Sequence, residues 1–236
     1  MPNTAPLSKS LTQSAVSLAL AEDLGRAGDI TSQSVIPENA RAKASIVSRE
    51  EGVLAGLDLA VEAFTQNDPA AVFTNIVSDS AKVSPGDTVL TIEANARGLL
   101  SAERVALNFV SHLSGIASHT AAFVAAISGT QARITCTRKT TPGLRALEKY
   151  AVRSGGGYNH RFGLDDAILI KDNHIAVAGS VTAALKAAKE NAGHMVTVEI
   201  EIDTLEQLDE ALQEGTDVVL LDNMSPDMLR EAVTMV

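Results

Sequence analysis

The sequence predicts an α/β protein in two parts. From about Gly129 onward, short apolar runs alternate with amphipathic helical runs, the pattern of parallel strands joined by helical crossovers. Ahead of that, residues 42–95 carry short β-type runs separated by turn residues, which reads as a small β-rich unit. Hydrophobic residues make up 45% of the chain but aromatics only 3%, with no Trp, so Ala, Val, Ile and Leu must fill the core. That composition suits buried parallel strands and Ala-rich helices.

The elements follow in order. Residues 8–24 place apolar side chains at helical spacing behind Ser residues able to cap the start. GRAGDITSQSVIP reads as a loop, AKASIVSRE as a strand, and residues 57–65 as a helix. The SPGD stretch at 84–87 is turn chemistry between apolar runs. Residues 98–127 predict a long helix with a break near Ser114-Gly115. Then come RITCT as a strand and PGLRALEKYAVRSG as a helix, with Pro142 in its first turn and Gly155 past its end. DAILIKDNHI is read as an apolar strand ending in polar residues. VTAALKAAKENAG, TLEQLDEALQEG and SPDMLREAVTMV are helices, interleaved with the strands MVTVEIEI and DVVLLDN.

A net charge of -10 argues against broad nucleic-acid or membrane binding, which favour a positive surface. One cysteine, Cys136, excludes an intrachain disulfide framework and a Cys-rich metal site. No signal peptide and no apolar run near the ~20 residues of a membrane span is visible, so a cytoplasmic enzyme is expected.

Against this acidic background, TRKTTPGLRALEKYAVRSGGGYNHR (137–161) gathers Arg138, Lys139, Arg145, Lys149, Arg153, His160 and Arg161 around a single acid, Glu148. Arg145, Lys149 and Arg153 share a helix face, and Lys149 is read as a solvated surface position. Arg138, Lys139, Arg161 and Lys171 lie in loops or at strand ends, where they can grip a small anion. The triple Gly at 155–157 reads as a tight bend delivering His160 and Arg161, while His174 reads as a residue orienting Lys171 or Asp172. Glu199 and Glu201 share a strand face, and Asp222 ends the next strand. Such carboxylates beside phosphates could hold Mg²⁺, which prefers oxygen ligands and keeps its waters. The polar residues cluster at C-terminal strand ends, where both α/β barrels and open doubly wound sheets bind ligands.

The run TRKTTPGLRALEKYAVRSGGGYNHR, with LIKDNHI, AERVALNFVSHLSGIAS, VEIEIDTLEQL and VVLLDNMSP in the same order, closely resembles the quinolinate phosphoribosyltransferases. The resemblance implies an N-terminal α/β sandwich over residues 1–114. Residues 115–236 would form an incomplete, TIM-like α/β barrel lacking its C-terminal strands, and two subunits would pair so that each completes the other's site. It implies transfer of phosphoribosyl from phosphoribosyl pyrophosphate to quinolinate with decarboxylation, in the presence of Mg²⁺. Arg104 would be lent across the dimer to a quinolinate carboxylate. Thr137, Arg138, Thr140, His160, Arg161 and Lys171 would form the rest of the cradle, and Lys139 and Lys171 would also meet the phosphoribosyl groups. Glu201 and Asp222 would lie near ribose and metal. A substrate-divergent relative of the same fold, and a non-catalytic anion-binding or dimerising module, are the alternatives.

Overall fold

Residues 5–236 are described by the computed structural model, and they divide at His160/Arg161 into two units. In the first, Ser8 caps α1 (Lys9–Leu24) by accepting from the amide of Leu11. The segment expected as a loop holds a short helix, α2 (Ile30–Val35), because Asp29 accepts from the amide of Ser32 at 2.9 Å and closes its first turn. β1 (Arg41–Val47), β3 (Val72–Thr74) and β5 (Thr88–Asn95) form an antiparallel sheet in the order β1-β5-β3. β2 (Gly52–Val53) and β4 (Lys82–Val83) make a second, two-stranded pair. The expected SPGD turn forms: the amide of Asp87 donates to the carbonyl of Ser84, and the Asp87 carboxylate accepts from the Ser84 amide at 2.8 Å.

The core of this unit lies between the sheet, α3 (Leu57–Asn67) and α4 (Ala96–Ala126). Ala60, Ala63, Ala102, Ala106 and Ala117 are fully buried, which lets helix backbones approach closely. The break expected at Ser114-Gly115 does not occur; α4 runs unbroken for 31 residues. Ser114 has another task there. Its hydroxyl accepts from the amide of Ala55 at 3.0 Å, and one turn later Ser118 accepts from the amide of Val53 at 2.8 Å. Asp79 starts α3 from a distance, accepting from the amides of Gly56 (2.7 Å) and Leu57 (3.1 Å). It also accepts from the hydroxyl of Tyr150 at 2.7 Å, which ties in α5 (Arg145–Ser154). Burial, and then the Asp79 carboxylate, push the Tyr150 hydroxyl's pKa well above its ordinary value.

RITCT does not form a full strand. It makes a single parallel bridge, Thr135 to Tyr158. Pro142 lies ahead of α5 rather than in it: Leu144 is the N-cap, held by its amide to the carbonyl of Thr141. The Gly155–Gly157 run serves packing as well as turning. A Cβ on Gly155 would sit 2.2 Å from the carbonyl oxygen of Ala117, and one on Gly157 would meet Thr120 at 2.8 Å. Only glycine lets the end of α5 lie this close to α4.

The second unit is a parallel sheet, β6 (Ile168–Ile170), β7 (Val198–Ile202) and β8 (Val218–Leu221), in the order β6-β7-β8. α7 (Val181–Asn191), α8 (Leu205–Glu214) and α9 (Pro226–Met235) follow the expected pattern. DNHI, read as the end of a strand, instead opens α6 (Asp172–Ala178). Lys171 is the N-cap: its carbonyl accepts from the amides of His174 and Ile175, so the chain turns helical directly after the strand. Ile170, Val198, Ile200 and Ile202 point to the helix-covered core face. In this unit the sheet remains open. The chain is thus a mixed α/β protein with an N-terminal sheet domain followed by a C-terminal α/β domain.

Candidate active site

In the first unit, the bridge between Thr135 and Tyr158 brings two charged tips side by side. The amide of Cys136 donates to the carbonyl of Tyr158, and the amide of Tyr158 to that of Ile134. One arm then carries Thr137, Arg138, Lys139 and Thr140; the other carries Asn159 and His160. Thr137 bends the first arm by accepting from the Lys139 amide at 3.0 Å, and Arg145 donates through Nε to the Thr140 hydroxyl at 3.1 Å. Lys139 is exposed, whereas Arg138 is half-buried. Its Nε is shut off from solvent with no hydrogen-bond partner among the described residues. A buried guanidinium N–H left without a partner costs free energy that an anionic ligand would return.

Two residues beneath these arms escaped the sequence reading. Glu148 is buried, accepts from the Thr141 amide at 3.1 Å, and meets Nε2 of His112 at 2.9 Å. Burial alone would raise its pKa, but the hydrogen bonds from Thr141 and His112 outweigh that and hold its carboxyl below the usual range. Lys149, read as solvated, is 1% exposed. The i, i+4, i+8 spacing describes a shared face correctly, but this part of the face turns inward onto the bridge. The one available signal was Glu148 itself, the lone acid in a cationic run.

Arg104 lies elsewhere on this unit. It is exposed on α4 and lines a cavity of about 850 Å³ together with Arg49, Glu50, Glu51 and Glu103. Thr137–Thr140 and His160 take no part in that lining.

In the second unit, parallel register places Leu169 beside Glu199, Glu199 beside Val218, and Glu201 beside Leu220. Glu199 and Glu201 therefore share the sheet face opposite the helices, as the alternation predicted. Lys171 reaches across from the end of β6, and its Nζ lies 2.9 Å from the Glu201 carboxylate. His174 orients Lys171 by accepting from its amide through Nδ1 at 2.9 Å. Asp222 follows β8, its amide bonded to the carbonyl of Ile202, so it stands beside the end of β7. Its carboxylate accepts from the Asn223 side chain at 2.9 Å. Arg161 donates through Nη1 to the carbonyl of Ala167 at 3.1 Å, and its Nε, like that of Arg138, is buried without a partner among the described residues. Asp166 accepts from the amides of Phe162 and Gly163; these bonds close the turn after Arg161 and hold the Asp166 carboxyl below its usual range. Among the described residues, no group of three or more His, Cys, Asp or Glu is arranged to hold a metal ion. Likewise, no helix among them is long and apolar enough to cross a membrane.

Comparison with known proteins identifies the family and the fold. Residues 29–114 match the family described as quinolinate phosphoribosyl transferase, N-terminal domain, and residues 116–236 match its C-terminal domain. A Bacillus subtilis protein described as a probable nicotinate-nucleotide pyrophosphorylase [carboxylating] is 49% identical over 209 residues, covering 89% of this chain and 72% of its own length. The Mycobacterium leprae nicotinate-nucleotide pyrophosphorylase [carboxylating] is 50% identical, covering 87% of this chain and 72% of its own length. The crystal structure of NadC from Streptococcus pyogenes superposes with a TM-score of 0.94 at 44% identity, covering 98% of this chain and 81% of that one.

Proposed function

The chain belongs to the quinolinate phosphoribosyltransferase family, and from that membership we infer that it is a nicotinate-nucleotide pyrophosphorylase of the carboxylating type. It is a pentosyltransferase of NAD synthesis: quinolinate and phosphoribosyl pyrophosphate give nicotinate mononucleotide, pyrophosphate and CO₂. The observation that carries the residue assignments is the buried, partnerless Nε of Arg138 on an arm that also bears Thr137, Lys139 and Thr140.

Quinolinate is a dianion. Arg138 offers one carboxylate a planar fork, and His160, Arg161 and Lys171 supply further donors. Thr137 and Thr140 add hydroxyl contacts. As the bond from ribose C1 to pyrophosphate lengthens, C1 becomes cationic. The carboxylates of Glu201 and Asp222 stabilise that charge, and Lys139 and Lys171 stabilise the departing phosphate oxygens. The ring nitrogen then bonds to C1 and becomes positive. The C2 carboxylate leaves as CO₂, its bonding electrons remain at C2 beside the positive nitrogen, and a proton completes the product ring. No covalent nucleophile is required.

Mg²⁺ fits this donor set only as an ion shared with the substrate. Glu201 and Asp222 are oxygen ligands on adjacent strand ends, too few for a protein cage, so phosphates and waters would complete the shell. When bound, it would neutralise charge on the pyrophosphate.

We further propose a homodimer. Arg104 is exposed in a cavity without the other cradle residues, as suits a side chain lent to a second copy of the chain. A single free thiol, Cys136, suits a cytoplasmic setting.

The test is incubation of the chain with phosphoribosyl pyrophosphate, Mg²⁺ and quinolinate labelled in its C2 carboxyl. Labelled CO₂ and nicotinate mononucleotide should form in equal amounts. Absence of both would refute the assignment.

A further inference from the structure

We propose that Lys149, which no part of the reaction scheme uses, is a positioning residue that sets the geometry of the quinolinate cradle. The inference rests on the functional reading above. Its Nζ lies 2.9 Å from Sγ of Cys136 and 3.1 Å from the carbonyl oxygen of His160. Cys136 immediately precedes Thr137 and Arg138 on one arm; His160 is the tip of the other. One ammonium therefore joins both arms just where they leave their bridge.

The bridge needs such a tie. It consists of one parallel residue pair, Thr135 and Tyr158, with backbone bonds from Cys136 and Tyr158. Beyond it, Cys136 Sγ meets the Asn159 side chain at 3.5 Å. Lys149 fixes the spacing of the two arms where they leave the bridge, and a cradle reading two carboxylates loses discrimination once its donors move by about an ångström. Lys149 is anchored on the opposite side by its place in α5, where its neighbours Leu147, Glu148, Tyr150 and Ala151 are all buried. The adjacent Glu148 holds Thr141, at the far end of the Arg138 arm, through its backbone amide. The two consecutive residues thus grip that arm at both ends.

The energetics favour a geometric role over a stabilising one. Burying an ammonium carries a desolvation penalty, and an apolar side chain of similar length would fill the same space without it. Lys149→Met should therefore fold, with a melting temperature within about 3 °C of the parent. It should raise the KM for quinolinate about tenfold and leave the KM for phosphoribosyl pyrophosphate within about twofold. In ligand-free protein, the imidazole resonances of His160, assigned with His160→Asn, should shift and broaden. A quinolinate KM within twofold of the parent, or an unshifted His160 signal, overturns the inference. So does an equal loss for both substrates accompanied by a lower melting temperature. If Lys149→Met fails to fold, Cys136→Ala removes one anchor while leaving the ammonium; about a threefold rise in quinolinate KM supports the role and an unchanged value overturns it. Parent activity toward quinolinate is measured first. Its absence would count against the functional reading, whereas an active parent with indifferent variants counts against Lys149 alone.

Discussion

Arg138→Ala should raise the KM for quinolinate by roughly 100-fold or more while changing that for phosphoribosyl pyrophosphate less than about threefold. The size follows from the contact. A bidentate guanidinium–carboxylate pair supplies two charge-assisted hydrogen bonds of about 1.5–3 kcal/mol each, and each 1.4 kcal/mol is a factor of ten. The asymmetry follows from the ligand, because Arg138 is assigned to the pyridine carboxylate alone. Stability should not suffer, since the substitution removes a buried N–H that has no partner among the described residues. Arg138→Lys should recover little, because a point charge cannot reproduce the fork. Steady-state kinetics with each substrate varied in turn decide the matter. Equal losses for both substrates would contradict the assignment.

Lys171→Ala should act mainly on kcat, lowering it by about 10²–10³, the range found when one preorganised donor to a transition state is lost. Lys171 stands 2.9 Å from Glu201, with its own backbone fixed by His174. Removing it leaves developing charge on the leaving pyrophosphate uncompensated and frees Glu201 from its partner. Single-turnover measurements at saturating substrate read the chemical step directly. An unchanged rate there, with only weaker binding, would reduce Lys171 to a binding residue.

Much of the fold was legible because it depends on periodicity. VTVEIEI announces a strand with Glu199 and Glu201 on one face, and the apolar positions between them are the buried ones. The helices around it follow from spacing and from the caps Ser180, Thr204 and Ser225. What could not be read depends on contacts distant in sequence. Gly115 looked like a helix break, but the hydroxyls of Ser114 and Ser118 bind the segment around β2, some 60 residues away, and α4 continues. RITCT looked like a strand, yet among the described residues its β-pairing is a single bridge to Tyr158.

The same division holds for the candidate site. Arg138, Lys139, His160, Arg161 and Lys171 stood out because they follow Thr, Gly or an apolar strand, where a solvated helix stripe is not an option. Lys149 did not, because a helical repeat shows which residues share a face and not what lies against it. Its burial against Cys136 and His160 could only come from the packing. The triple glycine was read as a tight bend delivering His160 and Arg161; its closest constraint is the carbonyl of Ala117 pressed against Gly155.

The account depends on cations arranged to read two carboxylates on one pyridine ring. Calorimetric titration of the chain with quinolinate and with nicotinate, which lacks the C2 carboxylate, measures that directly. Quinolinate should bind at least about 100-fold more tightly, as loss of one charge-assisted bidentate pair requires. Equal affinities for the two acids would contradict it.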